Sequence, residues 1–192
     1  MRRSFLLGAL CLWASPAFAA GDATAGQAKS EACLGCHGAN GVSEAEGIPS
    51  LAGQADKFLQ WQLVFFRSGR RDNPIMTPMS QELSDEDVRD IGAYFATLAP
   101  PPPVPDPDPA LHAAGAAVAE QHHCAACHTD GFTGKQAAAS LAHQREDYLV
   151  HALADYRSGA RPSTGVAAMN EAAAGLSDPD IAALAHYLAT LP

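Results

Sequence analysis

The sequence has no cluster of lysines and arginines, no apolar run long enough to cross a bilayer, almost no alternating β pattern, and few cysteines or methionines. Without a basic patch, nucleic acid and anionic lipid are poor partners. The N-terminal apolar run, Phe5 to Trp13, is too short for a membrane span. Near-absence of β alternation points to an all-α chain. Methionine is so scarce that each one matters: only Met76, Met79 and Met169 follow Met1. Of the five cysteines, Cys11 lies in the N-terminal segment and the other four fall in two short strings.

Those strings are Cys33-Leu34-Gly35-Cys36-His37 and Cys124-Ala125-Ala126-Cys127-His128. C-x-x-C-H is the attachment pattern of c-type haem. Two thiols add to the haem vinyl groups, and the adjacent histidine is held beneath the iron. A lone C-x-x-C also suits a redox disulfide or half a zinc site. A four-thiolate zinc site would leave His37 and His128 without a reason and would join two self-contained halves. Two covalent haems are therefore expected, on Cys33, Cys36, Cys124 and Cys127, with His37 and His128 as iron ligands.

The first nineteen residues fix the compartment. Arg2 and Arg3 precede the apolar run, and Ala17-Phe18-Ala19 reads as a small-x-small cleavage site. The segment 1–19 is expected to be a signal peptide, with Ala20 opening a mature periplasmic protein and Cys11 removed. Arg2-Arg3-Ser4-Phe5-Leu6 is similar to a twin-arginine signal. Haem attachment to an unfolded, exported chain favours the general secretion route. The full sequence has a formal charge of −9. Removing Met1–Ala19 takes away two positive charges and no negative ones, leaving −11. Such an acidic surface is commonly just solvated, and it also steers toward a basic docking face.

The rest of the chain is a duplication. Leu51-Ala52-Gly53-Gln54 recurs as Leu141-Ala142-His143-Gln144, and Arg67-Ser68-Gly69-Arg70-Arg71 as Arg157-Ser158-Gly159-Ala160-Arg161. Leu83-Ser84-Asp85 recurs as Leu176-Ser177-Asp178. Repetition over about ninety residues means two tandem domains. They are expected at 20–99 and 110–192, joined by a stiff proline-rich linker at 100–109 in which no helix is possible. A domain this small has a thin core, and covalent haem supplies apolar bulk. Ser84 with Asp87, and Ser177 with Asp180, cap two C-terminal helices, and Pro179 fits the first turn of the second. Val88, Ile91, Tyr94, Phe95 and Leu98 then share one face, matched by Ile181, Leu184, Tyr187, Leu188 and Leu191. Middle helices are expected near Ala55–Arg67 and Arg145–Arg157.

An electron-carrying iron needs a second axial ligand. Met169 is the sole methionine after the second haem motif and lies seven residues before Leu176. Met76 lies seven residues before Leu83, whereas Met79 does not share that register. The duplication selects Met76 and Met169, with Met79 as the alternative in the first domain. A methionine is more often adaptable core filler. Thioether sulfur favours ferrous iron and raises the potential relative to bis-histidine ligation. It also closes the iron to substrates, so the chain reads as an electron carrier rather than an enzyme.

Together with Gly21-Asp22-Ala23, Gly26-Gln27-Ala28-Lys29 and His37-Gly38-Ala39-Asn40-Gly41, these motifs make the whole mature chain resemble cytochrome c4, the two-haem proteins built of two class I cytochrome c domains. The resemblance implies haems near the domain interface with facing propionates, and Arg71 and Arg161 close to them. It implies electron delivery from a quinol-oxidising complex or a dehydrogenase to a terminal oxidase or reductase. It also implies that the Pro49 carbonyl accepts a hydrogen bond from the proximal imidazole of the first domain. The repeat position of Pro49 is Ala139, so the second loop is expected to be looser. His143 replaces Gly53, and His151 replaces Trp61. Both histidines are expected to make the second haem pocket wetter and its potential lower. His143, His151 and His186 are the histidines that compete with Met169. Two other functions stay open: the cytochrome subunit of a dehydrogenase, such as a flavocytochrome sulfide dehydrogenase, and a two-haem peroxidase. A short chain with two available methionines counts against the peroxidase.

Overall fold

Helices dominate the computed structural model, which describes residues 20–163 and 168–192; the expected signal peptide, Cys11 included, lies outside them. Among the described residues there is no strand, only one isolated bridge between Lys135 and Ala138. The first repeat contains α1 (Ala23–Lys29), α2 (Glu31–His37), α3 (Asp56–Arg67), α4 (Met76–Gln81) and α5 (Asp85–Thr97). The second repeats the order as α6 (Pro109–Gln121), α7 (Ala125–His128), α8 (Glu146–Ser158), α9 (Ala168–Ala174) and α10 (Asp178–Ala189). No helix among the described residues is long and apolar enough to cross a membrane.

Local chemistry explains the helix starts. Asp22 accepts from the Thr24 and Ala25 amides, and Asp108 from those of Ala110 and Leu111. These side chains satisfy first-turn donors that have no intrahelical acceptor. Ser84 with Asp87, and Ser177 with Asp180, each form the reciprocal capping box expected from the sequence. The middle helices start one residue later than expected, since Ala55 and Arg145 are non-helical cap residues. The linker differs at its end too. Pro109 does not extend it but opens α6, because the first turn needs no proline N–H and Asp108 supplies the cap.

In each repeat the first and last helices cross, α1 on α5 and α6 on α10. Glycine permits the crossing. A Cβ on Gly26 would stand 2.0 Å from the Asp90 carbonyl oxygen, and one on Gly115 2.0 Å from that of Ala183. Only hydrogen fits there. The expected apolar faces point inward: Val88, Ile91 and Phe95 are buried in the first repeat, and Ile181, Leu184 and Leu188 in the second.

The two cores are not copies. The first buries Leu59, Ile91 and Phe95; the second is larger, with Phe132, Leu149, Tyr156 and Leu176 joining the α10 residues. One exchange is compensatory. Gly41 and Phe132 hold the same hinge, each carbonyl accepting from two amides of the following Leu-Ala pair. A Cβ at Gly41 would press within 3.1 Å of the Phe95 ring. In the second repeat Leu188 stands in place of Phe95, and Phe132, at a positive φ of 52°, is buried in the same core.

The repeated motifs also touch one another. Arg67 donates to the Leu83 carbonyl at 2.9 Å and to Asp85 at 2.5 Å. Arg157 donates to the Leu176 carbonyl at 3.0 Å and to Asp178 at 2.6 Å. Arg-Ser-Gly and Leu-Ser-Asp therefore recur together because each arginine anchors the segment that returns from the methionine-bearing helix.

Candidate haem sites

Each C-x-x-C-H string forms a short helix, α2 or α7, that ends on its histidine. The helical turn brings both thiols of a string to one side, with Cys33 and Cys124 half-buried and Cys36 and Cys127 exposed. None of the four is paired in a disulfide among the described residues. His37 and His128 are both buried, each 7 % exposed. Burial pushes both imidazoles below the ordinary histidine range, against an opposing hydrogen bond to a carbonyl. A neutral imidazole is the form that binds a metal.

The carbonyls fix the orientation of the rings. His37 Nδ1 lies 2.8 Å from the Pro49 oxygen, and His128 Nδ1 lies 2.8 Å from the Ala139 oxygen. Donation from Nδ1 leaves Nε2 as the lone-pair nitrogen. The Ala139 carbonyl accepts at the same distance as that of Pro49, because a backbone carbonyl needs no proline to accept.

Met76 begins α4 and Met169 lies at the start of α9, both half-buried. Each precedes by four residues a buried small residue, Ser80 or Ala173, whose carbonyl accepts from Leu83 or Leu176. Met169 packs on the second core. Met79 is 39 % exposed.

The histidines weighed as competitors of Met169 lie elsewhere. His143 takes a positive φ of 59° where Gly53 takes 68°. Its ring nitrogens stand 3.0 Å from the Pro101 and Leu191 carbonyls, so it ties the linker to the C-terminus. His186 contacts Glu146 at 3.0 Å and Asp106 at 2.9 Å. His151 is exposed. The linker and the C-terminus thus take the His143 ring, whereas His151, the counterpart of Trp61, stays exposed.

Between the repeats lies a feature that pattern reading missed. Arg161 is buried, donating from Nη1 to the Tyr148 hydroxyl at 3.0 Å and from Nη2 to Gln62 Oε1 at 2.8 Å. Arg71 donates to the same Gln62 oxygen at 2.7 Å. The guanidiniums stack on Phe66 and Tyr156, 4.5 and 4.6 Å from the ring centroids. Burial and the neighbouring Arg161 charge both push the Arg71 pKa down. Burial pushes the Tyr148 phenol up, but the two guanidiniums outweigh it and leave it below its usual range. Arg161 Nε and Gln62 Nε2 are buried with no acceptor among the described residues. Neither arginine meets a carboxylate in an ion pair among the described residues. One buried and one half-buried cation, with two idle donors, form at the interface a donor set suited to carboxylates, as haem propionates are. The thiols, the oriented neutral imidazoles and this donor set together fit haem c.

Comparison with known proteins agrees with the geometry. The cytochrome c family model matches residues 23–99 and 112–192. The chain is 38% identical over 180 residues to cytochrome c4 of Pseudomonas aeruginosa, covering 90% of each. It is 32% identical over 201 residues to a thiosulfate dehydrogenase electron acceptor of Thiomonas intermedia, covering 97% of this chain and 88% of that one. The crystal structure of reduced recombinant cytochrome c4 from Pseudomonas stutzeri superposes with a TM-score of 0.82 at 34% identity, over 90% of this chain and 100% of that one.

Proposed function

Because the chain belongs to the cytochrome c4 family, an all-α fold of two cytochrome c domains with two covalently bound haem c groups, we propose that Cys33, Cys36, Cys124 and Cys127 form the thioether links. His37 with Met76, and His128 with Met169, are the axial pairs. The chain divides as a signal peptide at 1–19, domains at 20–99 and 110–192, and a linker at 100–109 that yields its last residue to α6. The mature protein works in the periplasm.

Bound haem iron supplies one-electron chemistry by moving between ferrous and ferric states. The residues do the rest. Burial keeps His37 and His128 neutral, and the Pro49 and Ala139 carbonyls aim their Nε2 atoms. With haem bound, the Met76 and Met169 sulfurs would serve as the second ligand of each iron, which would exclude substrate and favour an electron carrier over an enzyme. Arg71 and Arg161, which meet at Gln62 on the interface, would hold the propionates there.

The protein carries single electrons from a quinol-oxidising complex or a dehydrogenase to a terminal oxidase or reductase. The observation that carries this reading is the pair of buried, carbonyl-oriented histidines, each ending a C-x-x-C string. The likeness to a thiosulfate dehydrogenase electron acceptor favours a dehydrogenase as donor. The acidic mature chain would dock on a basic face, so transfer should slow as salt rises. The test is stopped-flow reduction of the holoprotein by thiosulfate dehydrogenase with thiosulfate, beside reduction by a quinol-oxidising complex with quinol. Reduction by neither donor overturns the proposed route.

A further inference from the structure

We propose that Gln54 and Gln144 are positioning residues for the haem of the opposite domain, each acting on the proximal histidine through a single peptide group. The proposal rests on His37 and His128 being the proximal ligands.

The peptide joining Pro49 to Ser50 is engaged at both ends. Its oxygen accepts from His37 Nδ1 at 2.8 Å, and its N–H donates to Gln144 Oε1 at 2.8 Å. Gln144 Nε2 then donates to the Ser50 carbonyl at 2.9 Å, closing a two-point clamp. The peptide joining Ala139 to Ser140 repeats the arrangement in the other direction. Its oxygen accepts from His128 Nδ1 at 2.8 Å, and its N–H donates to Gln54 Oε1 at 2.5 Å. Gln54 Nε2 donates to the Ser140 carbonyl at 3.0 Å. Two hydrogen-bonded chains thus cross the interface in opposite senses, each running from a glutamine of one domain to the imidazole of the other.

The amides have no freedom to do otherwise. Each Oε1 also accepts from the next residue's N–H, Ala55 or Arg145, at 3.0 Å. Flipping either amide would set donors against donors. Gln54, Gln144 and Ser50 are all buried. In a medium that excludes water, hydrogen bonds on the two ends of one peptide polarise each other. Donation from the Ser50 N–H to Gln144 puts more electron density on the Pro49 oxygen, which then holds the His37 Nδ1 proton more strongly. That makes Nε2 a better electron donor, and a stronger proximal donor favours the ferric state. The Leu-Ala-x-Gln motif recurs for this reason: each copy ends in the residue that tunes the other copy's histidine.

The test uses the mature two-haem protein and the variants Gln144→Leu and Gln54→Leu. Potentials come from spectroelectrochemical titration, with the haems assigned by adding Met76→His or Met169→His. The expected result is crossed. Gln144→Leu raises the potential of the first-domain haem and leaves the second in place, and Gln54→Leu does the reverse. The proton resonance of the affected Nδ1–H moves with it. If Gln144→Leu fails to take up haem, Gln144→Asn keeps the amide, shortens its reach and gives the same crossed shift. A shift in the haem of the variant's own domain, equal shifts in both haems, or no shift overturns the clamp. Absence of imidazole Nδ1–H signals from iron-bound histidines in the unsubstituted protein overturns the ligation reading itself, and the clamp with it.

Discussion

Arg161 of the second domain and Gln62 of the first meet at 2.8 Å inside the interface, on an amide oxygen that also receives Arg71 at 2.7 Å. One neutral oxygen therefore stands between two guanidiniums, that of Arg161 buried and that of Arg71 half-buried. The repeat position of Gln62 is Ala152, so the second domain offers no equivalent acceptor. Gln62→Leu keeps much of the volume and removes the acceptor. Leaving buried charged donors unsatisfied costs about 1–3 kcal/mol. The urea midpoint of the holoprotein should fall accordingly, and an unchanged midpoint would show that the propionates alone satisfy both arginines.

The helix crossings make a harder demand. An added Cβ at Gly26 or Gly115 meets a backbone carbonyl oxygen at 2.0 Å, and the helices bearing those carbonyls are held at both ends. A flexible side chain would move aside; a backbone does not. Gly26→Ala and Gly115→Ala should each cost about 1–3 kcal/mol or more by overpacking. Gly131→Ala is the control, since its Cβ position meets only the Thr133 methyl, at an ordinary 3.7 Å. Thermal unfolding of the three variants should separate the first two from the third.

Legibility followed the kind of signal. Short-range rules worked because they depend on residues a few positions apart: the capping boxes at Ser84 and Ser177 and the α5 and α10 faces formed where the pattern put them. Repetition exposed Arg67, Arg157 and the two glutamines as paired positions, but not what they touch. Their partners lie across a turn or across the domain seam, and a sequence carries no distance information over that range. His143 misled for the same reason. A histidine at a repeat glycine looks like a pocket residue, whereas the Leu191 carbonyl near the C-terminus and the Pro101 carbonyl of the linker take both of its ring nitrogens. The meeting of Gln62, Arg71 and Arg161 left no pattern, because Gln62 has no repeat counterpart.

Axial ligation separates three methionines. Met76 and Met169 share a register before the Leu-Ser-Asp motif, while Met79 is exposed a turn further along α4. Met169→His should lower the potential of one haem only, because imidazole favours ferric iron more than thioether does. It should also remove that haem's share of the sulfur–iron charge-transfer band in the ferric spectrum. Met79→Leu should keep the bands of both haems. Loss of a band in Met79→Leu, with retention in Met76→Leu, would move the first-domain ligand to Met79.

His186 predicts how pH acts on the linker. Its buried ring lies between Asp106 of the linker and Glu146 of α8, and His112 stands 3.6 Å from the other Asp106 oxygen. Burial pushes the His186 pKa down, but the hydrogen bonds to Asp106 and Glu146 outweigh it and leave the value above the ordinary 6.5. A group whose folded pKa is raised stabilises the folded state fully below its unfolded pKa. That contribution is lost as pH rises through the folded value. The imidazolium should therefore hold the linker to the second domain most firmly in mild acid and release its share of stability as pH rises above 6.5. Other groups run the opposite way, since Lys29 holds Asp87 and Asp90 below the usual carboxylate range and their contribution disappears in acid. The informative quantity is thus the difference in urea midpoint between the unsubstituted protein and His186→Gln across the neutral range. It should be largest below pH 6.5 and shrink as pH rises. A difference that stays constant would mean that His186 acts through packing alone, and one that grows with pH would mean that the neutral ring is the stabilising form.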